Sequence, residues 1–126
     1  MSTEPKPLEW VSSSKKDLVG LPKEVRVAFG VALFRVQCGA KPMNAKPLKG
    51  FGGAGVLEIV ENFDGDTFRA VYTVRFAEVV YVLHVFQKKS KSGIATPKQE
   101  IDLIKSRLAL AEDKYIQWQK DQQKKQ

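Results

Sequence analysis

Apolar positions recur with two different periods along this chain. After Pro22, which suits the first turn of a helix, Val25, Ala28, Phe29, Ala32, Leu33 and Val36 follow at helical spacing. They predict a helix over Lys23 to Cys38 that stops at Gly39. Ahead of it, Ser12-Ser13-Ser14 supplies cap candidates, and Ser14 with Asp17 resembles a capping box, so a short helix should end near Val19 and Gly20. The Gly-Leu-Pro turn joins the two into a helical hairpin, and Leu8 to Val11 reads as a short strand. Residues 39–55 carry Pro42, Pro47 and a cluster of glycines, which is loop chemistry.

From Val56 the period becomes two. Val56 to Phe63 and Thr67 to Phe76 read as strands joined by a tight Asp64-Gly65 turn, and Ala77-Glu78 leads into a third strand, Val79 to Gln87. Thr96 then serves as a helix cap with Pro97 at the first position and Gln99 three residues after the cap. Ile101, Ile104, Leu108, Ala111 and Tyr115 mark one face of this last helix, with fraying expected beyond Lys120. Near its end Tyr115, Ile116 and Trp118 either cap the core or meet a partner, the core being favoured. The order predicts an α+β fold: an N-terminal helical hairpin on an antiparallel meander, followed by a C-terminal helix. One domain is expected over 1–126, with its core in about 8–112 and frayed ends at 1–7 and 120–126.

Pairing Phe76 with Val79 places Phe68, Ala70, Tyr72, Val74 and Phe76 on one face with Val79, Tyr81, Leu83, Val85 and Gln87. That face is nearly all apolar and is assigned to the core. The opposite face carries Arg69, Val71, Thr73 and Arg75 beside Val80, Val82, His84 and Phe86, with Lys88 continuing the row. Arg69, His84 and Lys88 therefore converge, and Arg75 lies farther along near the turn.

Composition narrows the chemistry. In 126 residues, 43% hydrophobic and 28% charged content describes a folded domain, and no apolar run approaches the length that spans a bilayer. A soluble, cytoplasmic protein with no membrane partner is expected. The single cysteine, Cys38, and the single histidine, His84, exclude an intrachain disulfide and a four-ligand Cys/His zinc site. Cys38 lies in an apolar helical pattern and reads as a packed thiol.

The formal charge of +7 is unevenly spread. Arg26, Arg35, Lys41, Lys46 and Lys49 lie in one stretch without acids, and Lys88, Lys89, Lys91 and Lys98 in another. A charge run is ordinarily a solvated face. Here the sheet register gathers part of it around an imidazole and an exposed Phe86, a combination suited to RNA phosphates and stacked bases. A structural role for His84 stands beside that reading. The glycine run from Gly50 to Gly55 precedes a strand and opens no helix, so it is not a nucleotide-binding loop. Glu58 and Glu61 point to opposite faces of a strand and make a poor metal site, and neither metal nor cofactor is expected.

Several segments resemble the phage-derived, HigB-like branch of the RelE/ParE toxin superfamily. They are Leu48-Lys49-Gly50-Phe51, Gly55-Val56-Leu57-Glu58, Phe68-Arg69-Ala70-Val71-Tyr72-Thr73, the run from Leu83 to Ser90, and Thr96-Pro97 leading into Glu100-Ile101. The likeness spans roughly residues 8–110. It implies two N-terminal helices packed on an antiparallel sheet, and a type II toxin that cleaves mRNA on the translating ribosome. It also implies neutralisation by a HigA-like helix-turn-helix antitoxin, for which the exposed apolar side of the first two helices is a candidate contact. Such ribonucleases work without metal, through attack of the ribose 2′-OH on the adjacent phosphate.

By the same resemblance Arg69 matches the arginine of the family's Tyr/Phe-Arg-x-x-Tyr strand, whose planar donor fork suits a transition-state phosphate, and Lys88 and Lys89 match a basic pair expected to bind phosphate or assist proton transfer. Glu58 reads first as a structural partner of a nearby arginine, though it could serve as general base, and His84 is the other candidate base. Lys49, Arg75, Phe86 and Lys91 are the expected RNA contacts. The chain departs from the best-known RelE-type enzymes in carrying Glu58 where they have lysine, and no tyrosine after the basic pair. Two other readings stay open: a gyrase poison of the ParE kind, and a catalytically inactive toxin fold that only pairs with its antitoxin.

Overall fold

The computed structural model describes residues 4–53, 55–88 and 96–125. Eight elements follow in the order β1 (Leu8–Trp10), α1 (Ser14–Val19), α2 (Lys23–Gln37), β2 (Ala45–Pro47), β3 (Val56–Phe63), β4 (Asp66–Thr73), β5 (Val80–Lys88) and α3 (Lys98–Lys124). The strands make one mixed sheet in the order β1-β5-β4-β3-β2, in which β1 runs parallel to β5 and the other pairs are antiparallel.

The α+β expectation and the β3-β4-β5 meander match the observed fold. At the β3–β4 turn Asp64 and Gly65 both have positive φ, 52° and 83°, which is what a two-residue turn of the primed type requires. Two details differ. β4 ends at Thr73, with exposed Val74 and Arg75 outside the strand. A short edge strand, β2, occupies part of the stretch read as loop; Pro47 is tolerated there because an edge residue need not donate to the ladder. Gly55 turns the chain into β3 with φ of 72°, and a side chain there would meet the Arg75 backbone nitrogen at 3.2 Å.

The expected register holds over only half of β5. Arg69 lies opposite Phe86 and Val71 opposite His84, as expected, but Tyr72 then pairs with Val82. Leu83 is the extra residue of a β-bulge, and beyond it the faces of β5 exchange. Val80 and Val82 consequently join Phe68, Ala70, Tyr72 and Val85 under the helical hairpin, packed on Val25, Phe29 and Leu33 of α2. Tyr81 and Leu83 turn to the other side with Val79 and Phe76. That side is a second core, because α3 lies across it with Ile104 and Ala111 buried and Ile101, Leu108, Tyr115 and Trp118 packed alongside. Tyr115 and Trp118 thus cap this core while Ile116 stays exposed.

Local capping also differs from expectation. The Ser13 hydroxyl, not that of Ser14, bonds Asp17, and the buried Ser14 donates to the Val82 carbonyl. Cys38, which follows the last residue of α2 as its C-cap, is exposed rather than packed. On the outer side of α2, Val27, Val31 and Phe34 are exposed. α3 continues to Lys124, past the expected fraying point. No helix of the described residues is long and apolar enough to cross a membrane.

If α3 builds a second core, truncating its buried contact should cost far more than truncating its outer face. Ile104→Ala should lower unfolding free energy by about 2–4 kcal/mol, and Leu103→Ala by about 0.5 kcal/mol, read from urea denaturation.

Candidate functional site

A buried ion pair forms on the α3 side of the sheet. Glu58 of β3 lies opposite Val71, and Arg69 of β4 opposite Val60, so the two side chains are diagonal neighbours on one face. Each is only 3% exposed. Arg69 Nη1 donates to Glu58 Oε1 at 2.7 Å. The Thr96 hydroxyl donates to Glu58 Oε2 at 3.1 Å and accepts from Arg69 Nη1 at 3.3 Å. Thr96 therefore ties the start of α3 to the ion pair, and Pro97 takes the cap position that the sequence suggested for Thr96. Lys46, paired with Glu58 across the β2–β3 ladder, sets its ammonium 3.7 Å from Oε1.

Lys88, the last residue of β5, is 8% exposed, and its ammonium has no hydrogen-bond partner among the described residues. Desolvation pushes its pKa below the usual lysine range. The Arg69 and Lys46 charges push it the same way, and Glu58 opposes them.

His84 sits apart from this pair. It is 7% exposed and stacks on Phe86, with ring centroids 4.7 Å apart. Arg107 Nη1 lies 3.2 Å from Nδ1, and Nε2 bonds Glu100. Because a guanidinium only donates, Nδ1 accepts and Nε2 carries the proton toward the carboxylate. Burial, opposed by Glu100, pushes the imidazole below its ordinary pKa. Arg107 also donates to the Leu83 carbonyl and the Ser13 hydroxyl, at 3.0 and 3.1 Å. With both ring nitrogens engaged, His84 fastens α3 to the sheet.

The residues expected at the site therefore separate. Glu58, Arg69 and Lys88 come together, while His84 and Phe86 belong to the neighbouring clasp. Arg75 is exposed beyond β4. Lys89 and Lys91 lie outside the described residues. Lys49 lines a cleft of about 420 Å³ between the segment after β2 and the first turn of α3, together with Lys46, Leu48, Thr96, Lys98 and Ile101, and Glu58 at its base. Among the described residues no three His, Cys, Asp or Glu side chains gather in a way that could hold a metal ion. Sequence reasoning missed Lys46, Thr96, Lys98, Glu100 and Arg107 as parts of these arrangements. Arg107 carried a signal, because it interrupts the apolar face of α3 between Ile104 and Ala111.

Glu58→Ala leaves the Arg69 guanidinium buried without its carboxylate, and should cost about 3–5 kcal/mol in urea unfolding. His84 sets a pH dependence. Its folded pKa lies below the unfolded value of about 6.5, so below that pH the unfolded chain takes up the proton first and stability falls. The urea midpoint should drop between about pH 7.5 and about pH 5.5, and His84→Gln should shrink that drop.

The sequence matches the model of a family described as phage-derived protein Gp49-like over residues 16–109. Among solved structures, a double arginine-to-alanine mutant of the E. coli toxin RelE in the free state superposes with a TM-score of 0.53. The two are 21% identical, over 70% of this chain and 88% of that one. The RelBE2 toxin-antitoxin complex from Mycobacterium tuberculosis gives a TM-score of 0.49 at 20% identity, over 68% of this chain and 100% of the other. No curated protein sequence matches the chain. The superposition on RelE shows a shared fold. The family match runs from α1 through every strand of the meander into α3, and the chain belongs to the phage-derived Gp49-like family.

Proposed function

We propose that this chain is the toxin of a type II toxin-antitoxin pair: a metal-independent endoribonuclease that cuts mRNA on the translating ribosome and is neutralised by a HigA-like antitoxin. The family membership and the fold shared with the toxin RelE support this reading. The observation that carries it is the buried Lys88 ammonium, without a hydrogen-bond partner among the described residues, near Arg69 and on the same face as a basic cleft.

In the proposed reaction the ribose 2′-oxygen attacks the adjacent phosphorus and the 5′-oxygen leaves, so the products are a cyclic phosphate and a free 5′-hydroxyl. A proton must leave the 2′-oxygen, another must reach the leaving oxygen, and the phosphorane needs cations. Arg69, oriented by Glu58 and Thr96, supplies a planar guanidinium to the phosphate. Lys88, its pKa lowered by burial, takes the proton from the 2′-hydroxyl as the neutral amine and returns it to the leaving 5′-oxygen. Glu58 has both oxygens engaged and acts by holding Arg69. Neutralisation of Arg69 by Glu58 also favours a second reading, a fold that pairs with an antitoxin and cuts nothing.

Expression of the chain alone should arrest growth and leave translated transcripts cut, mapped at nucleotide resolution. Lys88→Met should reduce cleavage at least about 100-fold without lowering the thermal midpoint, because it removes a buried unpaired charge. Growth arrest with intact transcripts and damaged chromosomal DNA would indicate a gyrase poison. Tight antitoxin binding with intact transcripts would establish the non-cutting reading.

A further inference from the structure

The cleft holds more than the ion pair at its base requires. Leu48, from the segment after β2, and Ile101, from the first turn of α3, give it apolar walls, while Lys46, Lys49 and Lys98 give it a cationic rim. Three lysines thus face one carboxylate, and that carboxylate is already matched by Arg69. The excess positive charge has no acid to meet it among the cleft residues. Lys88 adds to it, since its ammonium, which has no hydrogen-bond partner among the described residues, is within electrostatic reach of both Glu58 and Lys46. The first turn of α3 also borders the cleft, and its acid, Glu100, is committed to His84.

A simple solvated patch of lysines would have neither enclosing walls nor a buried ammonium beside it. At about 420 Å³ the cleft is far larger than a phosphate needs and falls within the range of small-molecule sites. Its occupant must be anionic at one end and flat or apolar at the other.

We infer that this cleft is a single-nucleotide site, in which Leu48 and Ile101 hold a base and Lys46, Lys49 and Lys98 hold its phosphate. The inference rests on the ribonuclease reading in making the nucleotide one unit of an RNA chain beside the Arg69 site. A free nucleoside monophosphate presents the same chemistry. Glu58 and Thr96 connect the two places, because they line the cleft and also fix Arg69.

The test uses the full chain without ribosomes, titrated with adenosine 5′-monophosphate and, separately, inorganic phosphate, by calorimetry and backbone amide NMR shifts. The nucleotide should bind at least about tenfold more tightly than phosphate and should shift residues around Leu48 and Ile101. Replacing the exposed pair, Lys46→Ala with Lys98→Ala, should weaken the nucleotide at least about tenfold. Ile101→Asp should weaken the nucleotide more than it weakens phosphate, separating the base contact from the charge contact. A short oligoribonucleotide that competes assigns the cleft to RNA, and binding of the monophosphate without such competition assigns it to free nucleotides. Phosphate binding as tight as the nucleotide, or nucleotide binding indifferent to these substitutions, overturns the inference. Transcript cleavage without nucleotide binding would remove this site and leave the ribonuclease reading standing, and the reverse result would do the opposite.

Discussion

Glu58 and Arg69 lie side by side beneath the start of α3, almost wholly withdrawn from water. Two charges in that position are tolerable only together, and a well-packed apolar pair of similar volume would be at least as stable. Their presence therefore has to be understood through what they hold in place. The pair locks β3 and β4 in one register, recruits Thr96 and so anchors the helix, and draws Lys46 in from the edge strand. Burial, and after it the charge of Arg69, lowers the pKa of Lys88. The cleft and the buried ammonium are arranged around this one contact.

α3 is held in two chemically different ways. Its first half is fastened by polar groups, Thr96 to Glu58, Glu100 to His84, and Arg107 to His84, Leu83 and Ser13. Packing runs along its whole inner face, from Ile101 and Ile104 to Tyr115 against Phe76 at 5.1 Å and Trp118 stacked on Tyr115 at 5.9 Å, and toward the far end the Tyr115 hydroxyl donates to Glu78 at 2.9 Å. Hydrogen bonds demand fixed geometry, and the cleft borders the end of the helix where most of them are concentrated.

Much of this architecture is legible in the sequence where local chemistry is decisive. Asp64-Gly65 demanded a primed turn, the spacing from Val25 to Val36 demanded a helix, and Pro97 marked the start of α3. The register of β5 was not legible beyond His84. Val79 to Val85 is apolar at nearly every position because both faces of the sheet are covered, so the alternation that reports facing was missing and nothing local exposed the bulge at Leu83. β2 escaped notice because Ala-Lys-Pro has no strand propensity of its own and is paired only by its neighbour. At the site, the convergence of Arg69 with Lys88 followed from the correctly read half of the register. A pairing of Glu58 with a nearby arginine was legible too, and the β3–β4 diagonal identifies that arginine as Arg69. Thr96 needed the path of the chain into α3, which no periodicity reports.

The parallel pairing of β1 with β5 carries a consequence for how the molecule comes into being. Leu8 finds its partner only when Val80 is available, so the first strand cannot be fixed until the last is made. The ion pair has the same character, since Glu58 and Arg69 are complete only with Thr96 beyond them. Contacts of such long sequence separation close late and slow the search for the native state. During synthesis the chain would carry these charged groups separately, and the cleft would assemble only after the start of α3 had emerged and folded back.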